Sequence, residues 1–235
     1  MKWSKDSPAY VIAFAAVVSA AFTAAIMAIH AAADGAVRRN ERLLRQKALV
    51  EVFGLGDPAA LGPGEIAERV ERRVAEVTPP LIDAQTGRRL AVYKAYAPDR
   101  REVAAYAFPI GGVGFWAQID GLLAVDRDAT RIVGIVFLSH SETPGLGGRI
   151  TTDRAWREQF RGLKLPSPAA AGEKLIHVGG DGPSGPSDAR FGRHVDALTG
   201  ATGTSTAVEQ FVNRDLESFL RALREAQTTR PGDLE

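Results

Sequence analysis

The chain contains no cysteine in 235 residues, which removes disulfides, thiolate-bound zinc, cysteine-ligated iron–sulfur clusters and cysteine nucleophiles together. Any redox chemistry therefore has to come from a bound organic cofactor. Histidine is scarce as well. His30, His140, His177 and His194 stand in no metal-ligand spacing such as H-E-x-x-H, so no metal site is expected. Charge of either sign is not in excess: 29 Lys and Arg against 28 Asp and Glu leave a net +1. With no basic run interleaved with aromatics, no nucleic-acid partner is expected. The chain also lacks a G-x-G-x-x-G turn opening a βαβ unit and a His/Asp pair beside a nucleophilic Ser, which argues against nicotinamide binding and triad hydrolysis.

What the chain does have is one long uncharged run. Residues 7–33 contain no Asp, Glu, Lys or Arg, and from Tyr10 onward they are mostly Ala, Val, Ile and Phe. About 20 apolar residues cross the hydrocarbon core as a helix, so residues 10–33 read as one transmembrane anchor behind a short tail, 1–9. Ala31-Ala32-Ala33, with Lys2 and Lys5 upstream, also has the layout of a cleaved signal peptide. The apolar stretch exceeds the roughly 7–15 residues of a signal core, which favours a retained anchor. Arg38, Arg39, Arg42, Arg45 and Lys47 follow the run, against Lys2 and Lys5 before it. Counted alone, that asymmetry puts the downstream part on the cytoplasmic side.

Beyond the run, 45% hydrophobic and 24% charged residues are ordinary for a globular domain with a core. Leu43, Leu44, Ala48, Leu49 and Val50 form the apolar stripe of a helix over 37–53, with Gly54 as its stop. Gly56-Asp57-Pro58 and Gly62-Pro63-Gly64 break the chain before a second helix over 65–76. The span 34–90 therefore reads as a stalk and helical linker. From residue 91 the texture turns to strands. Short runs at 91–96 and 102–108 come first, and β-branched runs at 122–125 and 131–138 flank Asp126-Arg127-Asp128 in the pattern of an antiparallel hairpin. A short helix around Trp156, Phe160 and Leu163, a strand at 175–178 and a Gly/Pro/Ser-rich loop at 181–188, expected to be mobile beside the site, follow. No internal repeat occurs. The expected fold class is α+β: one N-terminal transmembrane helix, then a curved, half-barrel-like antiparallel sheet with helices packed at its ends, over 91–227, and a C-terminal tail, 228–235.

Two stretches carry candidate chemistry. Ser139-His140-Ser141-Glu142-Thr143-Pro144-Gly145-Leu146-Gly147-Gly148 has a proline to set φ and three glycines, which makes a shaped turn. The second, Asp196-Ala197-Leu198-Thr199-Gly200-Ala201-Thr202-Gly203-Thr204-Ser205-Thr206, precedes Val208, Phe211, Val212, Leu216, Phe219, Leu220 and Leu223, the apolar face of a helix running to about Gln227. Thr206 with Glu209 fits the S/T-x-x-E capping box, which sets the first free N–H groups beside Thr202, Gly203 and Thr204. Free N–H groups at the positive end of a helix suit a phosphate, and Gly200 and Gly203 let the backbone approach it. A capped loop without any ligand has the same residues, so the spacing leaves both readings open.

Asp196-x-x-Thr199-Gly200-Ala201-Thr202 resembles the D-x-x-S/T-G-A-T flavinylation signature of the FMN-binding domain family. Glu142-Thr143-Pro144-Gly145-Leu146-Gly147 is similar to its second hallmark, E-T-P-G-L-G, and Gly112-Val113-Gly114-Phe115-Trp116 to its G-x-G-x-W pattern. The helix over 37–53 resembles the stalk that follows the span in the C subunit of the sodium-pumping NADH:quinone reductase and the G subunit of the RNF complex. The resemblance implies FMN joined covalently, as a phosphoester, to the Thr202 hydroxyl by a flavin transferase that recognises Asp196. It implies that Thr199, Gly200, Ala201, Gly203, Thr204 and Ser205 surround that linkage, and that Glu142, Thr143 and Leu146 border the flavin. Trp116 is then either a nearby wall or a core aromatic, and His140 a hydrogen-bonded structural histidine or a sensor of flavin protonation. Two departures are visible: Thr199 stands where Ser is frequent, and Gly203 where Leu or Ile is common.

The same resemblance implies an electron-transfer role in an ion-translocating NADH:quinone or ferredoxin:NAD oxidoreductase, with the other NQR/RNF-type subunits as partners. The chain would be anchored in a bacterial inner membrane with the flavin domain on the periplasmic side, opposite to what the charge count gives. No independent substrate chemistry is expected, and hydride transfer from NADH falls to another subunit. The alternatives are a stand-alone covalent-FMN domain of another membrane or extracytoplasmic chain, and a cofactor-free anchored scaffold.

Overall fold

The computed structural model describes residues 7–99, 101–166 and 173–229. The chain divides into two compact units, Met1–Leu43 and Leu44–Glu235. Lys2, Lys5 and the end of the C-terminal tail lie outside the described residues. The first unit holds most of helix α1, Pro8–Val52, a helix of 45 residues with no break between the expected anchor and stalk. Its apolar part has an 18-residue window of mean hydropathy 2.3, none of it buried, so by length and composition this helix can cross a membrane.

The second unit begins within α1 and contains every other element. Helix α2, Pro63–Arg73, starts on the proline that the sequence places at a first-turn position. It stops three residues short of its expected end, because Val74 turns extended and opens strand β1, Val74–Glu76. Strands β2, Leu81–Asp83, and β3, Arg88–Leu90, pair as a small antiparallel ladder. Part of the expected helical linker is thus strand. Then come β4, Tyr93–Tyr96; β5, Val103–Val113; β6, Gln118–Asp126; and β7, Ile132–Ser139. Two short helices, α3, Arg149–Thr152, and α4, Arg154–Glu158, follow. Strands β8, His177–Val178, and β9, His194–Val195, make one parallel pair, and α5, Thr202–Thr229, closes the order.

The main sheet is antiparallel and open, in the order β1-β4-β5-β6-β7. Register shifts in the β4–β5 pair and at two places in the β6–β7 pair bend it, as bulges do. Helices cover both faces. On one face Tyr106, Phe108, Leu123, Ile135 and Phe137 pack with Val208, Phe211, Leu216 and Phe219 of α5. Phe108 and Phe219 stack there at 4.1 Å between ring centroids. The other face is small-residued: Ala95, Ala105, Ala107 and Ala124 receive Ala48, Leu49, Val52 and Phe53. A strand buried on both faces shows a continuous apolar run, which is why Leu122-Leu123-Ala124-Val125 and the β7 residues do not alternate.

Position along the sheet is set by buried polar groups. Asp83 is fully buried and accepts from Ser218 Oγ at 2.7 Å, Arg221 Nη2 at 2.9 Å and Thr86 Oγ1 at 2.8 Å. Asp215, 1% exposed, accepts from the Gly111 N–H at 2.8 Å and Arg88 Nη1 at 2.6 Å. Together they tie α5 to β2, β3 and β5.

Two outcomes follow for the full chain in detergent. On the β7 residue Gly134 a Cβ would stand 2.6 Å from the Val52 carbonyl oxygen. Gly134→Ala is therefore expected to lower stability by about 1–3 kcal/mol in urea unfolding, the usual cost of overpacking. Arg221, then the Ser218 and Thr86 hydroxyls and the Gln85 N–H, hold the Asp83 carboxyl well below the usual carboxylate range, against the opposing effect of burial. With the folded value below the unfolded one, this stabilisation is complete above the unfolded value of about 3.9 and is lost as pH falls toward the folded value. Asp83→Asn should cost on the order of 3 kcal/mol near neutral pH. It should also flatten the loss of stability on acidification, and an unchanged acid profile in the variant would contradict this assignment.

Candidate functional site

Three segments that are far apart in the chain meet at the start of α5. The first is the turn between β5 and β6, closed by the Gly114 N–H donating to the Ala117 carbonyl at 2.8 Å. It holds out Phe115 and Trp116, exposed by 63% and 66%, with their rings edge to face at 5.2 Å. Trp116 is thus no core aromatic. The second segment is the loop after β7, where the Leu146 and Gly148 N–H groups donate to the Thr143 carbonyl at 3.2 and 2.9 Å. The third is the loop that leads into α5.

That third loop is seated from below. Asp153 caps α4 by accepting from the Trp156 N–H at 3.0 Å, and this bond, with Arg149, holds its carboxyl below the usual carboxylate range. Trp156 Nε1 then donates to the Asp196 carbonyl at 2.7 Å, and the Asp196 N–H donates to Gln159 Oε1 at 2.9 Å. The Ala201 N–H returns to the Leu198 carbonyl at 2.9 Å, and the Leu198 N–H donates to Ser205 Oγ at 3.0 Å.

The helix starts at Thr202, four residues before the expected cap. Thr206 lies within the first two turns, and Glu209 makes no capping box with it. The Glu209 carboxylate accepts instead from the Val178 N–H at 2.8 Å and pairs with Lys174. The backbone N–H groups without an intrahelical acceptor are therefore those of Thr202, Gly203 and Thr204 themselves. The same stretch serves as loop and first turn, because Ser205, and not Thr206, turns its hydroxyl back to the loop.

Phe115, Trp116, Glu142, Thr143, Leu146 and Gly147 enclose, with Gly200, Ala201, Thr202, Gly203 and Thr204, a cavity of about 300 Å³. Nine of the sequence-derived residues line it. Thr199, Ser205 and Asp196 do not: Ser205 is buried behind the loop, and Thr199 and Asp196 are exposed outside the lining. Phe115 and Gly147 line it although the motifs gave them no role of their own. Phe115 was legible as an aromatic next to Trp116 in a Gly-flanked turn. Gly203 has a reason of its own, since a Cβ there would stand 2.6 Å from Phe115 Cδ2. A Leu or Ile at 203 would exclude that ring.

Glu142 is the connector. Only 4% exposed, it accepts from the Trp116 N–H through Oε1 at 3.0 Å and from the Thr204 hydroxyl through Oε2 at 2.5 Å, one oxygen for each opposing wall. Trp116 Nε1 donates to Thr143 Oγ1 at 3.0 Å beside it. His140 is structural: Nδ1 accepts from the Glu142 N–H at 3.2 Å, and Nε2 faces Thr151 Oγ1 at 3.1 Å. The 181–188 loop adds nothing to the lining and is clasped by Arg190, which bonds Asp188 and the carbonyls of Asp181 and Gly182.

A larger groove, about 720 Å³, lies between the end of α1 and α4. Its arginines are matched, Arg157 with Glu51 at 2.9 Å, Arg154 with Asp57 at 2.9 Å and Arg161 with Glu158 at 2.8 Å. Its volume is not accompanied by any convergent reactive group, so the smaller cavity is the better candidate.

Residues 114–217 match the FMN-binding domain family. The C subunit of the Na(+)-translocating NADH-quinone reductase of Yersinia pestis is 28% identical over 234 residues, covering 81% of this chain and 84% of that protein. The G subunit of the ion-translocating oxidoreductase complex of Cereibacter sphaeroides is 37% identical over 142 residues, covering 60% of this chain and 57% of that protein. The chain spans less than half the length of several other curated relatives. The crystal structure of Shewanella oneidensis NqrC superposes with a TM-score of 0.60 at 21% identity, covering 82% of this chain and all of that one, and so shares the fold. This α+β chain, with its apolar N-terminal helix and open antiparallel sheet, therefore matches the FMN-binding domain family over residues 114–217 and resembles the C subunit of the NADH-quinone reductase and the G subunit of the ion-translocating oxidoreductase complex.

Proposed function

We propose that this chain is a membrane-anchored electron-transfer flavoprotein subunit that carries FMN on Thr202 as a phosphoester. One observation carries the reading: the two motif loops, distant in sequence, form one cavity with the exposed Thr202 on its lining. The residues fit the group. The N–H groups of Thr202, Gly203 and Thr204 and the positive helix end suit a phosphate, and Phe115, Trp116 and Leu146 offer apolar surface to a ring. Bound FMN would supply one- and two-electron chemistry to this site.

The chain's own residues attach, orient and shield. Thr202 would contribute the ester oxygen: its hydroxyl proton is lost and its bond to phosphorus forms as the phosphoanhydride bond of an activated flavin nucleotide donor breaks and the donor's nucleoside monophosphate leaves, for a net gain of one FMN less one water. The sole carboxylate in the lining, Glu142, already has both oxygens engaged, so no free acid or base stands ready for substrate chemistry. Phe115 and Trp116 are exposed, which leaves the outer wall accessible to a partner. An electron carrier needs that access, and a permanent ester keeps the group in place without a closed pocket.

The resemblance to the C and G subunits supports a place within an ion-translocating NADH:quinone or ferredoxin:NAD oxidoreductase, with a flavin transferase acting during maturation. In this reading residues 10–33 anchor the chain in a bacterial inner membrane, and the domain over 91–227 lies on the periplasmic side.

The test is co-expression of the full chain with a flavin transferase, followed by intact mass and peptide mapping. The wild-type chain should gain one FMN less one water, mapped to Thr202. Thr202→Ala should keep the same circular dichroism and unfolding midpoint and show the unmodified mass. Covalent flavin retained by that variant would exclude Thr202 as the acceptor.

A further inference from the structure

The cavity has a charge that its architecture does not require. Glu142 is buried, and both of its side-chain partners are neutral donors, the Trp116 N–H and the Thr204 hydroxyl. No ion pair to it occurs among the described residues. His140 makes no ion pair with the carboxylate: its Nδ1 accepts the Glu142 backbone N–H, and its Nε2 faces Thr151 Oγ1. Phe115, Trp116 and Leu146 line the same cavity.

A glutamine would make the same latch. Its carbonyl oxygen can accept the Trp116 N–H, and its amide can donate to Thr204, whose hydroxyl rotates to accept. Holding the three segments together therefore explains the hydrogen bonds at this position and leaves the negative charge unexplained. The charge matters to whatever changes charge in the cavity. Electrostatic interactions of a buried carboxylate are less screened than those of one in water, and an electron added nearby is opposed.

We propose that Glu142 is a positioning and potential-setting residue: it latches the β5–β6 turn to the first turn of α5, and its buried negative charge lowers the reduction potential of the flavin in this cavity. The proposal rests on the FMN reading above. It involves no bond made or broken at Glu142. The electron taken up by the ring comes from an external reductant, and the carboxylate makes the resulting added negative charge less favourable.

The experiment uses the full chain in detergent, co-expressed with a flavin transferase, as wild type, E142Q, E142A and E142D. Intact mass reports loading, and titration with dithionite against a reference dye reports the midpoint potential. E142Q keeps the latch without the charge, E142A removes both, and E142D keeps the charge on a shorter arm. Both neutral variants are expected to raise the potential relative to wild type, by at least a tenfold change in the reduction constant, which is about 59 mV for one electron. E142D is expected to stay at or below the wild-type value. A loaded E142Q at the wild-type potential overturns the proposal and leaves Glu142 as a latch alone, and so does an E142D shift as large as that of E142Q. A wild-type chain that remains unmodified overturns the FMN reading itself, and the proposal with it.

Discussion

The structure depends on a constraint carried by α5: a helix packed on a sheet through an apolar face that also buries five polar side chains. Thr204, Ser205, Glu209, Asp215 and Ser218 are each less than a tenth exposed. In an apolar layer each needs its own partner. Glu142, the Leu198 N–H, the Val178 N–H, the Gly111 N–H and Asp83 supply them. Sliding the helix by one residue would leave several of these groups unpaired at about 1–3 kcal/mol each, whereas the apolar contacts alone would tolerate repacking. The polar stripe therefore defines the register of α5, and with it the place of Thr202.

The cavity is a consequence of that register. Its walls come from a hairpin tip, a post-strand loop and a helix start, elements that touch because β5, β6 and β7 are adjacent in one sheet and α5 lies across it. Glu142 joins the walls from inside, and Trp156 seats the 196–201 loop from beneath. An exposed hydroxyl at the helix start, apolar rings at the rim and engaged polar groups suit a tethered redox group better than a turnover site. In the proposed role the covalent link and the open wall belong together: permanence of attachment frees the rest of the cavity from having to enclose the ring.

The far face of the sheet shows how composition sets distance. Alanines on β4, β5 and β6 and the bare Gly134 allow the end of α1 to lie against the backbone of the strands. Those residues look ordinary in sequence, where alanine signals helix as readily as a thin sheet face. Residues 74–90 were illegible for a related reason. Three-residue strands have too few positions to display a period, and β1 pairs with β4 across intervening chain that contains β2 and β3.

Much was nevertheless present in the sequence. The uncharged run over 10–33, the hairpin around Asp126-Arg127-Asp128 and the amphipathic repeat after Thr206 are local patterns, governed by spacing that neighbours in the chain already express. The two glycine-bearing loops could be recognised as shaped and hydroxyl-rich, and their resemblance to the FMN-binding domain family could be stated from residues alone. Their meeting could not. The capping box at Thr206 and Glu209 was locally sound, but Glu209 found a buried N–H on β8 that needed an acceptor, and burial makes such a bond worth more than a solvated cap. Gly203 stands out as a deviation in sequence, and only in the fold does Phe115 occupy the space its missing side chain leaves. What the sequence by itself determined was the class of elements, the absence of thiol chemistry, and the two glycine-bearing stretches that are the candidates for a site. Only the tertiary structure decided where α5 begins, that Glu142 bridges the two walls, and that Thr202 lies on the cavity lining while Thr199 and Asp196 do not. These depend on which buried groups must find partners across the chain, a requirement that arises only once the sheet and helix are packed.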